Sequence, residues 1–204
     1  MKLGIVTYNI AANWDVDTIL RVGADVGLAG VELRTGHAHG VEVGLDDRAR
    51  AEVRAKFADS PVALVGLGST FEYHAADPAE LRRNIAGTKA YVRLAAAVGA
   101  RGVKVRPNGL PKEVPEEKTL DQIGRALNEV AADAADCGVE IRLEVHGRDT
   151  CHVPRLAKIM AVADHPNAKV CWNSNFPADL DADGRLAPHF ALLAKRIEIG
   201  RAHV

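Results

Sequence analysis

Short apolar segments alternate with longer amphipathic segments along the whole chain, and this alternation limits the fold more than any other feature of the sequence. Each apolar segment has the length of a β-strand, and the segments between them have the periodicity of helices that are apolar on one side. Strands separated by helices throughout indicate repeated βαβ units and a parallel sheet, which is an α/β architecture. The seven predicted strands are KLGIVTYN, GVELRT, PVALVGLGST, GVKVRPN, EIRLEVHG, AKVCWNSN and IEIGRAHV.

Seven strand–helix units in succession favour a (β/α)8 barrel of the TIM type over a doubly wound sheet. The glycine fingerprint G-x-G-x-x-G, which holds phosphate in doubly wound proteins, does not follow the first strand. A complete barrel usually takes about 250 residues, whereas this chain has 204. We therefore predict one domain, residues 1–204, that forms an incomplete barrel of about seven parallel strands and lacks the eighth βα unit.

The fifth predicted strand, EIRLEVHG, carries a polar side chain at every second position. Arg142, Glu144 and His146 alternate there with apolar residues. Successive side chains point to opposite faces of a strand, so the polar set shares one face and the apolar set shares the other. The same alternation occurs in three further strands, whose polar members are Glu32, Arg34, Lys104, Arg106, Lys169, Asn173 and Asn175.

These polar faces should point into the barrel, because helices cover the outside of a parallel sheet and pack on apolar residues. Residues late in each strand then meet at the C-terminal mouth, where barrel enzymes hold their active sites. The deeper Arg142, Lys104 and Lys169 can instead belong to an internal ion-pair network, for example one that joins Arg142 to Glu32. The residues expected at the mouth are Glu32, Arg34, Arg106, Glu144, His146, Asn173 and Asn175.

Charge and composition exclude several classes of protein. The net charge of −1 with well-mixed signs argues against a nucleic-acid partner. Three cysteines without metal-knuckle spacing are typical of reduced thiols. The N-terminus lacks the apolar region of a signal peptide, and no segment approaches the roughly 18 apolar residues of a membrane helix. We expect a cytoplasmic protein without a membrane partner.

The strand ends also offer ligands for a divalent metal. Glu144 and Asn173 belong to neighbouring strands, and His203 near the end of the seventh strand could supply a third ligand. Carboxylate, amide oxygen and imidazole together suit Mn, Mg, Co or Zn. No sequential ligand motif such as H-E-x-x-H accompanies them.

Four segments of the chain, GVELRTGHAHG, RLEVHG, VCWNSN and RAHV, resemble the sugar phosphate isomerase/epimerase family of xylose isomerase-like barrels. The resemblance covers essentially the whole chain and implies Glu144, Asn173 and His203 as metal ligands. The family's fourth ligand, a glutamate on strand eight, has no counterpart here. Many relatives have aspartate at the position of Asn173, and the amide should weaken metal binding.

The chemistry implied by this resemblance is proton abstraction from a sugar or sugar phosphate through an enediolate. Glu144 would act as ligand and base, and His146 would orient it or contact a substrate hydroxyl. Arg34 and Arg106 would bind sugar oxygens or a phosphate, with Glu32 and Asn175 as further substrate contacts. His39, in the loop after the second strand, is either an exposed loop residue or a substrate contact.

Two other functions remain open at this point. An endonuclease IV-like hydrolase ranks low, because the third strand lacks the histidine of that branch and no basic face is visible. A sugar-binding or inactive remnant of the family would follow if the missing strand and Asn173 had abolished catalysis. Self-association into a homo-oligomer is also left open.

Overall fold

A computed structural model describes residues 2–173 and 180–201. Strands and helices alternate in the order expected from the sequence, and two short 3-10 helices, Pro188–Leu192 and Ala194–Arg196, precede the last strand. The strands are β1 (Gly4–Val6), β2 (Gly30–Arg34), β3 (Ala63–Glu72), β4 (Gly102–Arg106), β5 (Glu140–Glu144), β6 (Ala168–Asn173) and β7 (Ile197–Arg201). The α-helices are α1 (Val16–Asp25), α2 (Asp47–Ala58), α3 (Pro78–Val98), α4 (Glu116–Asp136) and α5 (Val153–Val162).

The seven strands form one sheet in chain order, from β1 at one edge to β7 at the other. Every neighbouring pair is parallel. The sheet is an incomplete barrel with helices between its strands, so the predicted fold class is confirmed. The loops after β1 to β5 each lead from the mouth into the next helix, and several candidate residues lie on them.

Local sequence signals fix where the helices start. Asp15 and Asp46 precede α1 and α2, and their carboxylates accept backbone hydrogen bonds from Thr18 and Ala49, both at 2.8 Å. Such caps satisfy N–H groups that have no partner within the helix. α3 begins at Pro78 after the N-cap Asp77. With these starts defined, each helix returns the chain to the far end of the next strand.

The core lies between the helices and the outer face of the sheet. The apolar residues of β5, Ile141 and Leu143, are fully buried there together with Val145. Burying a side chain of this size contributes about 1.5–3 kcal/mol. This packing fixes the register of β5 and turns Arg142 and Glu144 towards the inside. Of the helices described, none is both long and apolar enough to cross a membrane.

Candidate active site

Four polar side chains from four strands meet inside the barrel. They are Glu32 of β2, Lys104 of β4, Glu144 of β5 and Asn173 of β6, with exposed fractions of 6%, 4%, 1% and 2%. Lys104 Nζ lies 3.0 Å from Glu144 Oε2 and 3.6 Å from Glu32 Oε1. Asn173 Nδ2 donates to Glu144 Oε1 at 3.4 Å. We call these four residues the interior cluster.

Glycine on β3 makes room for the interior cluster. A Cβ atom at Gly68 would lie 2.8 Å from Glu32 Oε1, which is closer than side chains pack. Gly68 pairs in register with Lys104 on one side and with Arg34 on the other. The Glu32 carboxylate therefore reaches Lys104 across β3, a strand that has no side chain at that point.

The charges of the interior cluster depend on one another because water is largely excluded from it. Moving a lone carboxylate from water into this interior would cost several kcal/mol of free energy. The Lys104 ammonium is shared between two carboxylates and contacts Glu144 Oε2, and the amide of Asn173 donates to the other oxygen, Glu144 Oε1. Glu144 is therefore a carboxylate with a fixed position and a fixed cation, at the mouth end of β5.

Arg142 does not pair with Glu32, so the expected example of an internal ion pair is wrong. Its Nε and Nη2 donate to Glu140 Oε2 at 3.0 and 2.8 Å, and its Nη1 donates to Val65 O at 2.9 Å. A Cβ at Gly102 would lie 2.6 Å from Arg142 Nε, so the guanidinium fills the space that this glycine leaves. Lys104 takes the carboxylate of Glu32 because it reaches towards the mouth, whereas Arg142 folds back towards its own strand's start.

A second polar group lies at the mouth, on the loops and ends of β3, β4 and β5. Glu72 Oε1 accepts from Arg106 Nη2 at 2.8 Å and also from Asn108 Nδ2. Asn108 Oδ1 is 2.9 Å from His146 Nδ1. We call Glu72, Arg106, Asn108 and His146 the rim network. It brings two predicted site residues, Arg106 and His146, into one hydrogen-bonded chain.

Arg34, another predicted site residue, lies at the end of β2. The guanidinium of Arg34 lies over the ring of Tyr8, 4.9 Å from its centroid, so it is held by an aromatic face that is half exposed. This leaves Arg34 beside the mouth, as expected. Asn175 and His203 lie outside the described residues, and their assignments stay predictions.

His39 is a buried structural residue and not an exposed loop histidine. Its Nε2 is 2.8 Å from Arg34 O, and its Nδ1 is 3.0 Å from Val41 N. The backbone N–H of Val41 must donate, so Nδ1 accepts and Nε2 carries the proton. Burial lowers the pKa of His39 from its ordinary value, and this favours the same neutral form. Both ring nitrogens already bind backbone, so a substrate contact by His39 would have to replace one of these hydrogen bonds.

Of the three residues implied as metal ligands, the described part of the chain contains Glu144 and Asn173. Their functional groups are adjacent, and both offer the oxygen atoms that hard divalent cations prefer. Among the described residues, no group of three or more His, Cys, Asp and Glu is close enough to hold an ion. The two residues thus fit a metal as far as they go, and the predicted third ligand, His203, lies outside the described residues.

An open cavity of about 640 Å³ lies between the loop after β5 and the starts of α4 and α5. Two of the basic side chains that line it already have partners. Arg155 holds the Glu116 carboxylate with two hydrogen bonds of 3.0 and 2.7 Å. The Lys158 ammonium binds Glu117 at 2.6 Å. Because the interior cluster does not line this cavity, we place the candidate site at the barrel mouth.

Sequence reasoning missed Glu72 and Asn108 and left Lys104 among structural residues. Glu72 has the parity of Gly66 and Gly68 on β3, which could have marked it as inward-facing. Asn108 belongs to the turn-forming dipeptide Asn-Gly, which begins two residues after the end of β4, and it adopts a positive φ of 53°. Loop residues whose side chains return to the mouth carry no periodic signal, so only this turn motif was available.

The sequence and the fold of this chain were both compared with those of known proteins. A family model described as xylose isomerase-like TIM barrel matches residues 20–175. No curated protein sequence gives a significant match. Solved structures give many matches at low sequence identity, and these support the fold alone.

Three of these structures are similar over nearly the whole chain. D-psicose 3-epimerase from Clostridium cellulolyticum H10, solved with D-tagatose, has a TM-score of 0.78 at 16% identity, covering 99% of this chain and 73% of that one. The 3-keto-D-glucoside 4-epimerase from E. coli has a TM-score of 0.78 at 13% identity, covering 100% and 79%. The IolI protein, solved with a zinc atom, has a TM-score of 0.72 at 16% identity, covering 99% and 87%.

Proposed function

The chain belongs to the xylose isomerase-like TIM barrel family, and from this premise we propose that it is a divalent-metal-dependent isomerase or epimerase of a sugar or sugar phosphate. The observation that carries the proposal is Glu144, a buried carboxylate at the mouth end of β5 with Asn173 beside it and Lys104 behind it. Two of the similar structures are sugar epimerases by their names. Their low identity supports the fold, and the chemistry is inferred from the site.

Glu144, Asn173 and His203 would hold the metal, which would supply Lewis-acid polarisation of adjacent sugar oxygens. Mn, Mg, Co and Zn all suit this mixture of oxygen and nitrogen ligands. One similar structure contains zinc. Asn173 contributes no charge, so the site has one negative charge fewer than a site with aspartate at this position.

The side chains of this protein would divide the work of proton transfer. Glu144 accepts the proton from the sugar carbon next to the carbonyl, and the Lys104 ammonium, 3.0 Å from Glu144 Oε2, holds the carboxylate in place. His146 contacts a substrate hydroxyl, and Arg34, Arg106 and Asn175 bind the remaining sugar oxygens or a phosphate. Glu32 contributes by holding Lys104 in place, which is a different task from substrate binding.

Solvent deuterium exchange tests this function across many candidate substrates at once. Ketoses, aldoses and their phosphates are incubated with protein and Mn²⁺ or Zn²⁺ in D2O, and incorporation at carbon is followed by NMR. Glu144→Gln should lower exchange at least about 100-fold, the scale of a general base. Glu140→Gln on the same strand is the matched control, because its carboxylate serves Arg142. Exchange that survives in Glu144→Gln would overturn the assignment.

Titration calorimetry with Mn²⁺ and Zn²⁺ tests the ligands separately. We expect binding in the wild type, weaker binding in His203→Gln and none in Glu144→Gln. Equal affinity in all three proteins would show that the metal binds elsewhere.

A sugar-binding protein without catalysis is the second candidate. The observation that favours it is the position of Lys104, whose ammonium contacts Glu144 Oε2 and so competes with a metal ion for that oxygen. In that case calorimetry would detect sugar binding in the absence of metal, and no deuterium would enter the sugar.

A further inference from the structure

The rim network is a continuous hydrogen-bonded chain that ends on His146. Arg106 Nη2 donates to Glu72 Oε1 at 2.8 Å, and Asn108 Nδ2 donates to the same oxygen. The other side of the Asn108 amide lies 2.9 Å from His146 Nδ1. The metal binding, proton abstraction and substrate contacts proposed above do not involve Glu72 or Asn108.

The direction of every hydrogen bond in this chain follows from the carboxylate at its start. An ionised carboxylate beside an arginine can only accept, so the amide nitrogen of Asn108 must face Glu72. The amide oxygen of Asn108 then faces His146, and an oxygen can only accept. The Nδ1 atom of His146 must therefore carry the proton, and in the neutral ring Nε2 is the acceptor nitrogen.

The backbone around Asn108 holds this geometry in place. Thr150 Oγ1 lies within hydrogen-bond distance of both Asn108 O (2.8 Å) and His146 O (2.9 Å), which ties the loop after β4 to the loop after β5. Gly147 packs against Asn108 so closely that a Cβ there would lie 2.4 Å from Asn108 O. The amide therefore has little freedom to turn.

We propose that Glu72 and Asn108 are positioning residues that fix His146 as the Nδ1–H tautomer, with Nε2 as the nitrogen that accepts a hydrogen bond from a substrate hydroxyl. The substrate part rests on the proposed function, and the tautomer part does not. Arg106 is the first member of the chain, because its guanidinium donates to the same Glu72 oxygen that accepts from Asn108. The hydroxyl recognised this way belongs to the sugar that Glu144 deprotonates, and His146 follows Glu144 by two residues just after β5.

Nitrogen NMR of the imidazole reads the tautomer directly in the resting protein. Protein labelled with ¹⁵N-histidine is measured at about pH 8.5, well above the ordinary histidine pKa of about 6.5, and His146→Gln identifies the signals by their loss. In the wild type, Nδ1 should give the shift of a protonated nitrogen and Nε2 that of an unprotonated one. A wild-type ring protonated at Nε2 would overturn the proposal.

Two variants test whether Asn108 and Glu72 cause this preference. Asn108→Leu removes the acceptor, so the His146 signals should move towards a mixture of tautomers. Glu72→Gln is the second variant should Asn108→Leu fail to fold, because a glutamine can donate to Asn108 and allow its amide to turn over. Asn128→Leu is the matched control, since this amide bonds to Val162 O and Asp164 far from the mouth. Unchanged His146 signals in both rim variants would refute the positioning role.

Turnover adds a separate measurement. With a substrate found by deuterium exchange, Asn108→Leu should lower kcat on the order of 10–100-fold with little change in KM, the scale for an outer partner that orients a functional residue. A loss confined to KM would contradict the positioning role. Absence of exchange in the wild type would refute the proposed function, and the tautomer measurement would still decide the role of Glu72 and Asn108.

Discussion

The ammonium of Lys104 lies 3.0 Å from Glu144 Oε2 and 3.6 Å from Glu32 Oε1. One cation from the middle strand of the sheet thus bridges two buried carboxylates from β2 and β5. Neither carboxylate would be stable as an isolated charge at this depth. The placement of the candidate base Glu144 therefore depends on Lys104 as much as on its own strand.

Lys104→Met should destabilise the fold by about 3–5 kcal/mol, because removing one partner of a buried ion pair leaves an uncompensated charge. The free energy of unfolding is measured by urea titration at neutral pH. Lys89→Met is the matched control: its ammonium also lies near two carboxylates, Glu129 at 3.3 Å and Asp133 at 3.7 Å, but at the surface. That change should cost less than about 1 kcal/mol.

Adding Glu144→Gln to Lys104→Met should recover part of the lost stability, since the double variant no longer buries that unpaired carboxylate. Strictly additive losses in the double variant would show that Lys104 and Glu144 are not coupled.

The alternation of apolar and polar residues was sufficient to predict the parallel sheet and the inward direction of Glu32, Lys104, Arg142 and Glu144. Both follow from a period of two along each strand, which is local information. The partners of these side chains are not local. Lys104 and Arg142 pair in register on neighbouring strands, and only the positions of glycines on β3 and β4 decide which direction each long side chain takes.

The rim network shows where periodicity stops being informative. His146 was predicted because it continues the pattern of β5. Asn108 follows the end of β4 in a turn, and its contact with His146 depends on the backbone conformation of two loops. Such conformations are set by packing between loops distant in sequence, so the sequence alone does not identify the contact.

Gly102→Ala should destabilise the protein by about 2–4 kcal/mol, because the new methyl would displace the buried guanidinium of Arg142 and weaken its bonds to Glu140. Urea unfolding measures the loss. Gly44→Ala is the matched control, since nothing lies within 4 Å of a Cβ at that position. Equal stability of the two variants would mean that Arg142 can be accommodated elsewhere.

The stability of the protein should fall as the pH is lowered below neutrality, in part through His39. Burial lowers the pKa of His39 in the folded state from its ordinary value of 6.5. The contribution of neutral His39 to the free energy of unfolding is therefore complete above about pH 6.5. It is lost as the pH falls towards the folded-state pKa, because in that range the unfolded chain takes up the proton and the folded protein does not. Burial also lowers the pKa of His37, which adds to the same slope.

His39→Gln should make the dependence of stability on pH shallower between about pH 7 and pH 5.5, because glutamine does not titrate. The amide can also keep hydrogen bonds to Arg34 O and Val41 N. Urea unfolding at the two pH values provides the comparison, and a slope identical to that of the wild type would exclude His39 as a contributor.

Gly147→Ala should disturb both the fold and the rim network. Two separable effects contribute to this disturbance, backbone strain and a steric clash with Asn108. Gly147 has a φ of 98°, a conformation that side chains rarely adopt, and its missing Cβ would lie 2.4 Å from Asn108 O and 2.5 Å from Asn108 Cα. Gly138→Ala separates the causes, because Gly138 also has a positive φ, 67°, but nothing within 4 Å of a Cβ. The control should cost roughly 1–2 kcal/mol through backbone strain alone, and Gly147→Ala should cost clearly more.

The excess loss of stability in Gly147→Ala should be accompanied by a change in the ¹⁵N signals of His146, since the loop that carries Asn108 must move. Equal losses of stability in the two variants, with His146 unchanged, would mean that the contact between Gly147 and Asn108 does not hold the rim network.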